Sequence, residues 1–290
     1  MKRIFALSLL ITFAFSGLCQ KATGKLKFEQ GQTLELNTNV TTAFAQQIMG
    51  QAIDFHVSGT AVHNYKVTNT TEDNHTLHHS MNQLSFRFDG MGNKVNFDSN
   101  NPKDMEGQFG KPIKEVLNKN YDIIIDPNGK VLMAQPEKIA AGNLDDRMRI
   151  IAEMLKDLTN LVQPPKKGEG SFFRVLPENN ASIGESWSEK GTTDFGEFSN
   201  TYTLAEITDS TCIVNFTGIS SATTKSELMG AETTTSLNNK SSGIIIVDKA
   251  TGIVREKKFN TETTGTTLAM GNSLPFTSKT TTVITVGPGK

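Results

Sequence analysis

The sequence predicts a mainly β protein: an antiparallel curved sheet (half-barrel) or a sandwich, with a helical insertion near residues 111–162. Apolar residues alternate with Thr, Asn and Gln at period two over residues 24–97, and again from Phe172 to the end, as in strands with one wet face. Thr is abundant and clusters after Asn200, where a β-branched hydroxyl residue suits an exposed sheet face. Only residues 144–162 carry a long helical spacing.

The chain has 290 residues, with 29 basic against 30 acidic and a net charge of -1, so no basic surplus suits it to nucleic acid. A hydrophobic fraction of 36% is low, yet 17 Phe can still build a core.

The N-terminus reads as a secretory signal peptide, residues 1–19. Lys2 and Arg3 precede the apolar run 4–15, which is too short to span a bilayer, and Gly17 and Cys19 are the small residues before a cut at Gln20. Lipid attachment at Cys19 is the alternative, and Leu18 stands against it, because lipoprotein signals place a small residue there. Nothing else approaches transmembrane length, so the expected location is extracytoplasmic, periplasmic or secreted. Cleavage removes Lys2 and Arg3, leaving 27 basic against 30 acidic residues and a net of -3. Cys212 is then the sole cysteine, which excludes an internal disulfide and reads as an inert core residue in the apolar run 211–216.

The mature chain divides into an N-terminal β half (20–135), a helical insertion (136–165) and a C-terminal β half (166–290) that can share one domain with the first. In the N-terminal half Leu34, Leu36, Val40 and Phe44 share a parity, followed by Ile53, Phe55 and Val57, then Leu84, Phe86 and Phe88. Breaks are expected at Met49-Gly50, Ser58-Gly59, 71–74 and 89–93, with a loop at 99–110. Residues 111–118 suit a short helix with Pro112 at its first position. Residues 121–131 read as strand, turn, strand, turning at Asp126-Pro-Asn-Gly129. In the long helix Asn143 serves as cap, and Leu144, Met148, Ile151, Leu155, Leu158 and Val162 form one stripe that Pro164 and Pro165 end. Residues 166–170 read as a linker, and Asp248 to Gly252 as another tight turn. Met49-Gly-Gln-Ala-Ile-Asp-Phe55 resembles Met270-Gly-Asn-Ser-Leu-Pro-Phe276, a short internal repeat.

The polar clusters do not assemble into a catalytic, cofactor or metal motif. His56, His63, His75, His78 and His79 lie within 24 residues. In a strand His75 and His79 share a face but lie about 13 Å apart, too far for one ion, and exposed histidines on a wet face are the expected state. The loop 98–107 lacks calcium-loop spacing. Gly184-Glu-Ser186-Trp-Ser188 lacks the final glycine of a nucleophile elbow. The reading is therefore non-enzymatic.

Leu26, Phe28 and Gly31 near the mature start, the Met-Gly hairpins, the segment from Leu176-Pro-Glu-Asn to Ile183-Gly-Glu-Ser-Trp187 and the Asp-x-x-Gly turns together resemble a family of secreted, functionally uncharacterised β-rich proteins of Bacteroidota. That resemblance covers most of the mature chain and implies no catalytic residues. A looser likeness is to lipoprotein-carrier half-barrel folds, which implies an apolar ligand held on a concave face that Trp187 and several Phe would line. The expected function is an exported binding protein for an apolar ligand or lipidated partner. The alternative is a structural or protein-interaction module of the cell envelope.

Overall fold

The computed structural model describes residues 21–48, 51–90, 92–138, 156–193, 195–228, 231–269 and 271–289. Residues 1–19, read as a signal peptide and including Cys19, and the expected helix from its cap Asn143 to residue 155 lie outside the described residues.

The alternating pattern forms β1 (Lys21–Ala22), β2 (Thr33–Ile48), β3 (Gln51–Thr70), β4 (His75–Gly90), β5 (Asn93–Asp98), β6 (Tyr121–Ile125) and β7 (Val131–Gln135), then β8 (Ala181–Ser182), β9 (Ser186–Thr192), β10 (Gly196–Ile207), β11 (Thr211–Leu228), β12 (Ala231–Asp248), β13 (Val254–Ala269) and β14 (Asn272–Pro288). Twelve of these make one antiparallel sheet in the order β7-β6-β4-β3-β2-β14-β13-β12-β11-β10-β9, with β5 beside β4. The sheet is open, since among the described residues the edge strands β7 and β9 do not pair with each other, and the sandwich alternative is set aside by this single layer. β1 and β8 form a separate two-stranded sheet. The N-terminal and C-terminal halves join through β2 and β14, from Pro288 opposite Leu34 to Phe276 opposite Gln46.

Period-two alternation assigns one face, here the inner face, to Leu36, Val40, Val57, Tyr65, Leu77, Leu204, Val214 and Ile245, all buried. Its cover comes from the N-terminal segment, helix α1 (Pro102–Glu106), helix α2 (Gly110–Leu117), the helical turns at 156–162 and the chain around Phe173 and Val175. The cover meets only the half of the sheet remote from the long hairpin tips. On β2 the buried clusters stop at Val40, and on β3 at Val57. Distal to them the inner face carries Thr, Ser and Asn together with half-buried aromatics, and charged residues such as Glu262 and Lys279 stand on the outer face.

Several expected boundaries move. Ser58-Gly59 is no break: β3 runs through it, and Gly59 stands on the inner face in register with Val40 and Phe86. The expected loop 99–110 contains α1, which Asn101 caps by accepting from the Lys103 amide at 3.1 Å with Pro102 next in the chain, a local start signal. α2 begins at Gly110, ahead of Pro112. Residues 166–170 are docked rather than a free linker, because Val131 N–H donates to Glu169 O and Gly168 N–H to Val131 O, both at 2.8 Å, covering part of the β7 edge. Strand, turn and strand at 121–131 form as expected, and 156–162 is helical up to Gln163.

Candidate functional site

Three of the five histidines are core residues, which overturns their expected exposure. His63 and His79 are fully buried and His75 is nearly so, whereas His56 and His78 face outward. The cause is parity. Positions 63, 75 and 79 fall on the inner face, and the helical turns at 156–162 close over the first and last of them. His63 Nε2–H donates to Leu158 O at 2.8 Å, so its Nδ1 is an acceptor and receives the Nε2–H of His79 at 3.1 Å. His79 Nδ1 is left as a buried acceptor without a partner among the described residues. Tyr121 stacks on His79 with centroids 4.4 Å apart, donates to Leu161 O at 2.7 Å and shares a 3.0 Å hydrogen bond with Tyr65.

Burial lowers the pKa of His63 to about 4 against its bond to Leu158, and that of His79 to about 3, with the charge on His63 and His78 adding to the burial. Both are therefore neutral at neutral pH. The pair straps the helical turns to β3 and β4, while Asp157 accepts from Thr282 Oγ1 at 3.0 Å on β14. Among the described residues no three His, Cys, Asp or Glu side chains converge as metal ligands would. Cys212 is fully buried among Leu204, Val214 and Val247, and burial pushes its thiol pKa up, as suits a core residue.

The concentration of recognition chemistry lies where the cover ends. Trp187 on β9 stacks with Tyr202 on β10 at 5.9 Å, Tyr202 meets Phe216 on β11 at 5.4 Å, and Phe216 meets Phe259 on β13 at 4.9 Å. The last contact spans β12, where Gly243 lies opposite both Phe216 and Phe259 and leaves the gap open. Trp187 also donates its indole N–H to Val175 O at 3.1 Å, which ties the row to the cover.

A second row lies nearer the hairpin tips. Phe276 on β14 stacks on Phe44 of β2 at 5.3 Å, Phe44 meets Phe55 of β3 at 5.4 Å, and Phe55 meets Phe88 of β4 at 5.9 Å. The short repeat seen in the sequence places two of these rings, Phe55 and Phe276, on either side of Phe44. All eight aromatics of the two rows are half-buried.

Between the rows the inner face is hydroxyl-lined. Thr42 and Thr280 are joined at 2.9 Å, Ser241 and Thr261 at 2.9 Å, Thr263 donates to Asn239 at 2.7 Å, and Asn239 to Ser220 at 3.0 Å. These cross-strand bonds satisfy part of the polar demand within the sheet, so the strip accepts apolar matter more readily than free hydroxyls would. Phe259 and Gly265, over which the Phe276 ring lies, are six residues apart on β13, roughly 20 Å. The face thus offers two aromatic bands separated by a paired hydroxyl strip.

Lys257 sits at the covered end of this surface. It is on the inner face of β13, opposite Ile245 and Ile284 and two residues from Phe259. Its Nζ donates to Phe172 O at 2.7 Å and stands 4.0 Å from the centroid of the Phe172 ring. Burial pushes its amine down to about 7, opposed only by the distant charge of Glu189.

Trp187 was expected to line a cup, and it does lie at the edge of this face. The rows themselves were missed, because they exist only once eight strands are in register. Period-two parity gives the face of each ring, not which rings become neighbours.

Residues 72–254 match the model of a family of unknown function (DUF6263), and the chain belongs to that family. No curated protein matches the chain. Solved structures similar to it include a lipovitellin, described for its lipid–protein interactions, at 11% identity and a TM-score of 0.47, with 91% of this chain and 26% of that one covered. The chain thus spans about a quarter of lipovitellin's length. An outer membrane channel of Pseudomonas putida F1 is similar at 7% identity and a TM-score of 0.29, over 91% of this chain and 98% of that one. The β domain of a Bordetella autotransporter is similar at 9% identity and a TM-score of 0.24, over 88% and 99%.

Proposed function

We propose that this DUF6263 family member is an exported, non-enzymatic binding protein that holds an apolar or amphipathic ligand on the uncovered half of its inner face. The observation that carries the reading is the pair of half-buried aromatic rows, Trp187-Tyr202-Phe216-Phe259 and Phe276-Phe44-Phe55-Phe88, at the point where the buried clusters end. Contiguous half-buried rings leave apolar area to be covered by something else, and two aromatic bands joined by a strip whose hydroxyls are already paired with one another suit a hydrocarbon better than a reacting centre. The reading of residues 1–19 as a signal peptide supports the export part of this proposal. No helix among the described residues is long and apolar enough to cross a membrane, a statement that does not bear on strands.

A neutral fluorescent probe tests this directly. N-phenylnaphthylamine should show saturable fluorescence enhancement on the protein, and the double variant F44S/F276S should weaken binding by roughly tenfold, about the transfer energy of part of two rings. The variant must keep a cooperative unfolding transition, since its rings lie outside the buried clusters. Absence of saturable enhancement in the wild type, or equal affinity in the variant, would overturn the proposal.

A further inference from the structure

We infer that Lys257 anchors the carboxylate head of a long-chain fatty acid whose tail crosses the first aromatic row and runs out toward the second. The inference rests on the binding role proposed above and names the ligand class.

Lys257 is a cation on an apolar stretch of the inner face. Its cross-strand neighbours, Ile245 and Ile284, carry no charge, and among the described residues no carboxylate lies within ion-pair distance of Nζ. An ammonium has three N–H donors, and Phe172 O takes one. Lys257 is half-buried; a partly desolvated cation without a counter-ion is costly, and the cost is relieved by an anion that reaches it. The low amine pKa records the same shortage of compensation. One lysine, with Glu189 as the other charge acting on it, matches a single negative charge better than a doubly charged phosphate head. The carboxylate joins Phe172 O around the ammonium and need not displace it.

The surface leading away from Nζ is suited to a hydrocarbon. Along β13 the inner face presents Phe259, Thr261, Thr263 and Gly265, with the ring of Phe276 lying over Gly265. From Lys257 to Gly265 is eight residues, roughly 26 Å, and the hydroxyls passed on the way are bonded to Ser241 and Asn239. A single acyl chain extended from the ammonium therefore crosses the first aromatic row and the paired hydroxyl strip and points toward the second row.

Trp187 is the only tryptophan, so its emission reports occupancy of the first row. Palmitate and hexadecanol, which share a chain and differ in head charge, are titrated against the wild type, Lys257→Met and Lys257→Arg. Wild type should prefer palmitate by roughly tenfold or more, the worth of one charge-assisted hydrogen bond. Lys257→Met should lose the preference while still binding hexadecanol, and Lys257→Arg should keep it. Equal wild-type affinities for the two ligands, or a preference that survives in Lys257→Met, overturn the anchor and leave the apolar-ligand reading standing. Binding of neither ligand by the wild type overturns both. Stronger binding of hexadecyl phosphate than of palmitate overturns the carboxylate class.

Discussion

Lowering the pH from 7.5 to 5 should destabilise the folded protein by about 2 kcal/mol for each of His63 and His79, since each contributes about 1.4 kcal/mol per pH unit between 6.5 and 5. Both side chains have folded-state pKa values depressed below the ordinary 6.5, to about 4 and about 3. The unfolded chain therefore binds protons between 6.5 and those values while the folded chain does not. Their contribution to stability is complete above 6.5 and is lost as the pH falls through the window. The geometry explains the resistance to protonation. His63 already spends its one N–H on Leu158 O and its acceptor on His79, and a proton on His79 Nδ1 would be a buried charge facing no acceptor. His75, whose pKa burial also lowers, adds in the same direction. Urea denaturation at pH 7.5, 6 and 5 measures the effect, and the double variant H63L/H79F should flatten most of the slope. A wild type equally stable at all three values would contradict the neutral buried pair.

Gly243→Ala should cost about 3 kcal/mol, although it adds one methyl group to a strand. Gly243 lies opposite Phe216 on one side and Phe259 on the other. A Cβ at this position would run into the Lys258 carbonyl oxygen and lie 2.7 Å from the Phe259 ring, so β12 and β13 must separate or the ring must leave. Either response breaks the 4.9 Å contact between Phe216 and Phe259 and with it the first aromatic row. Stability is read by denaturation, and the row by the Trp187 emission spectrum together with N-phenylnaphthylamine affinity. A variant that matches the wild type in all three would show that the glycine holds no space for the rings.

The strands were legible where parity is simple. Leu34, Leu36 and Val40 announce the inner face of β2, and Asp126-Pro-Asn-Gly129 announces the turn between β6 and β7, because these signals are local. The His63–His79 pair was not legible. The parity of His75 and His79 was, but their partners depend on the β3–β4 register, which shifts at Val62/His63 and again at Val67/Asn69. Exposure was the wrong expectation because nothing in the local pattern tells that helical turns from almost a hundred residues away close over the histidines. Lys257 was hidden differently. The run Arg255-Glu-Lys-Lys-Phe259 reads as solvated, and only the inward parity of Phe259 marks Lys257 as its neighbour on the inner face. The candidate surface as a whole is a property of registers between strands far apart in the chain, such as Phe44 beside Phe276. Composition and period do not encode those registers.

The binding role is tested most directly by native mass spectrometry of the protein expressed from its full sequence and purified without detergent, paired with solvent extraction of the same preparation. A single acyl chain or other amphiphile bound near one per protein, and released into the organic phase, is the expected result. A bare polypeptide mass with an empty extract would contradict a resident apolar ligand.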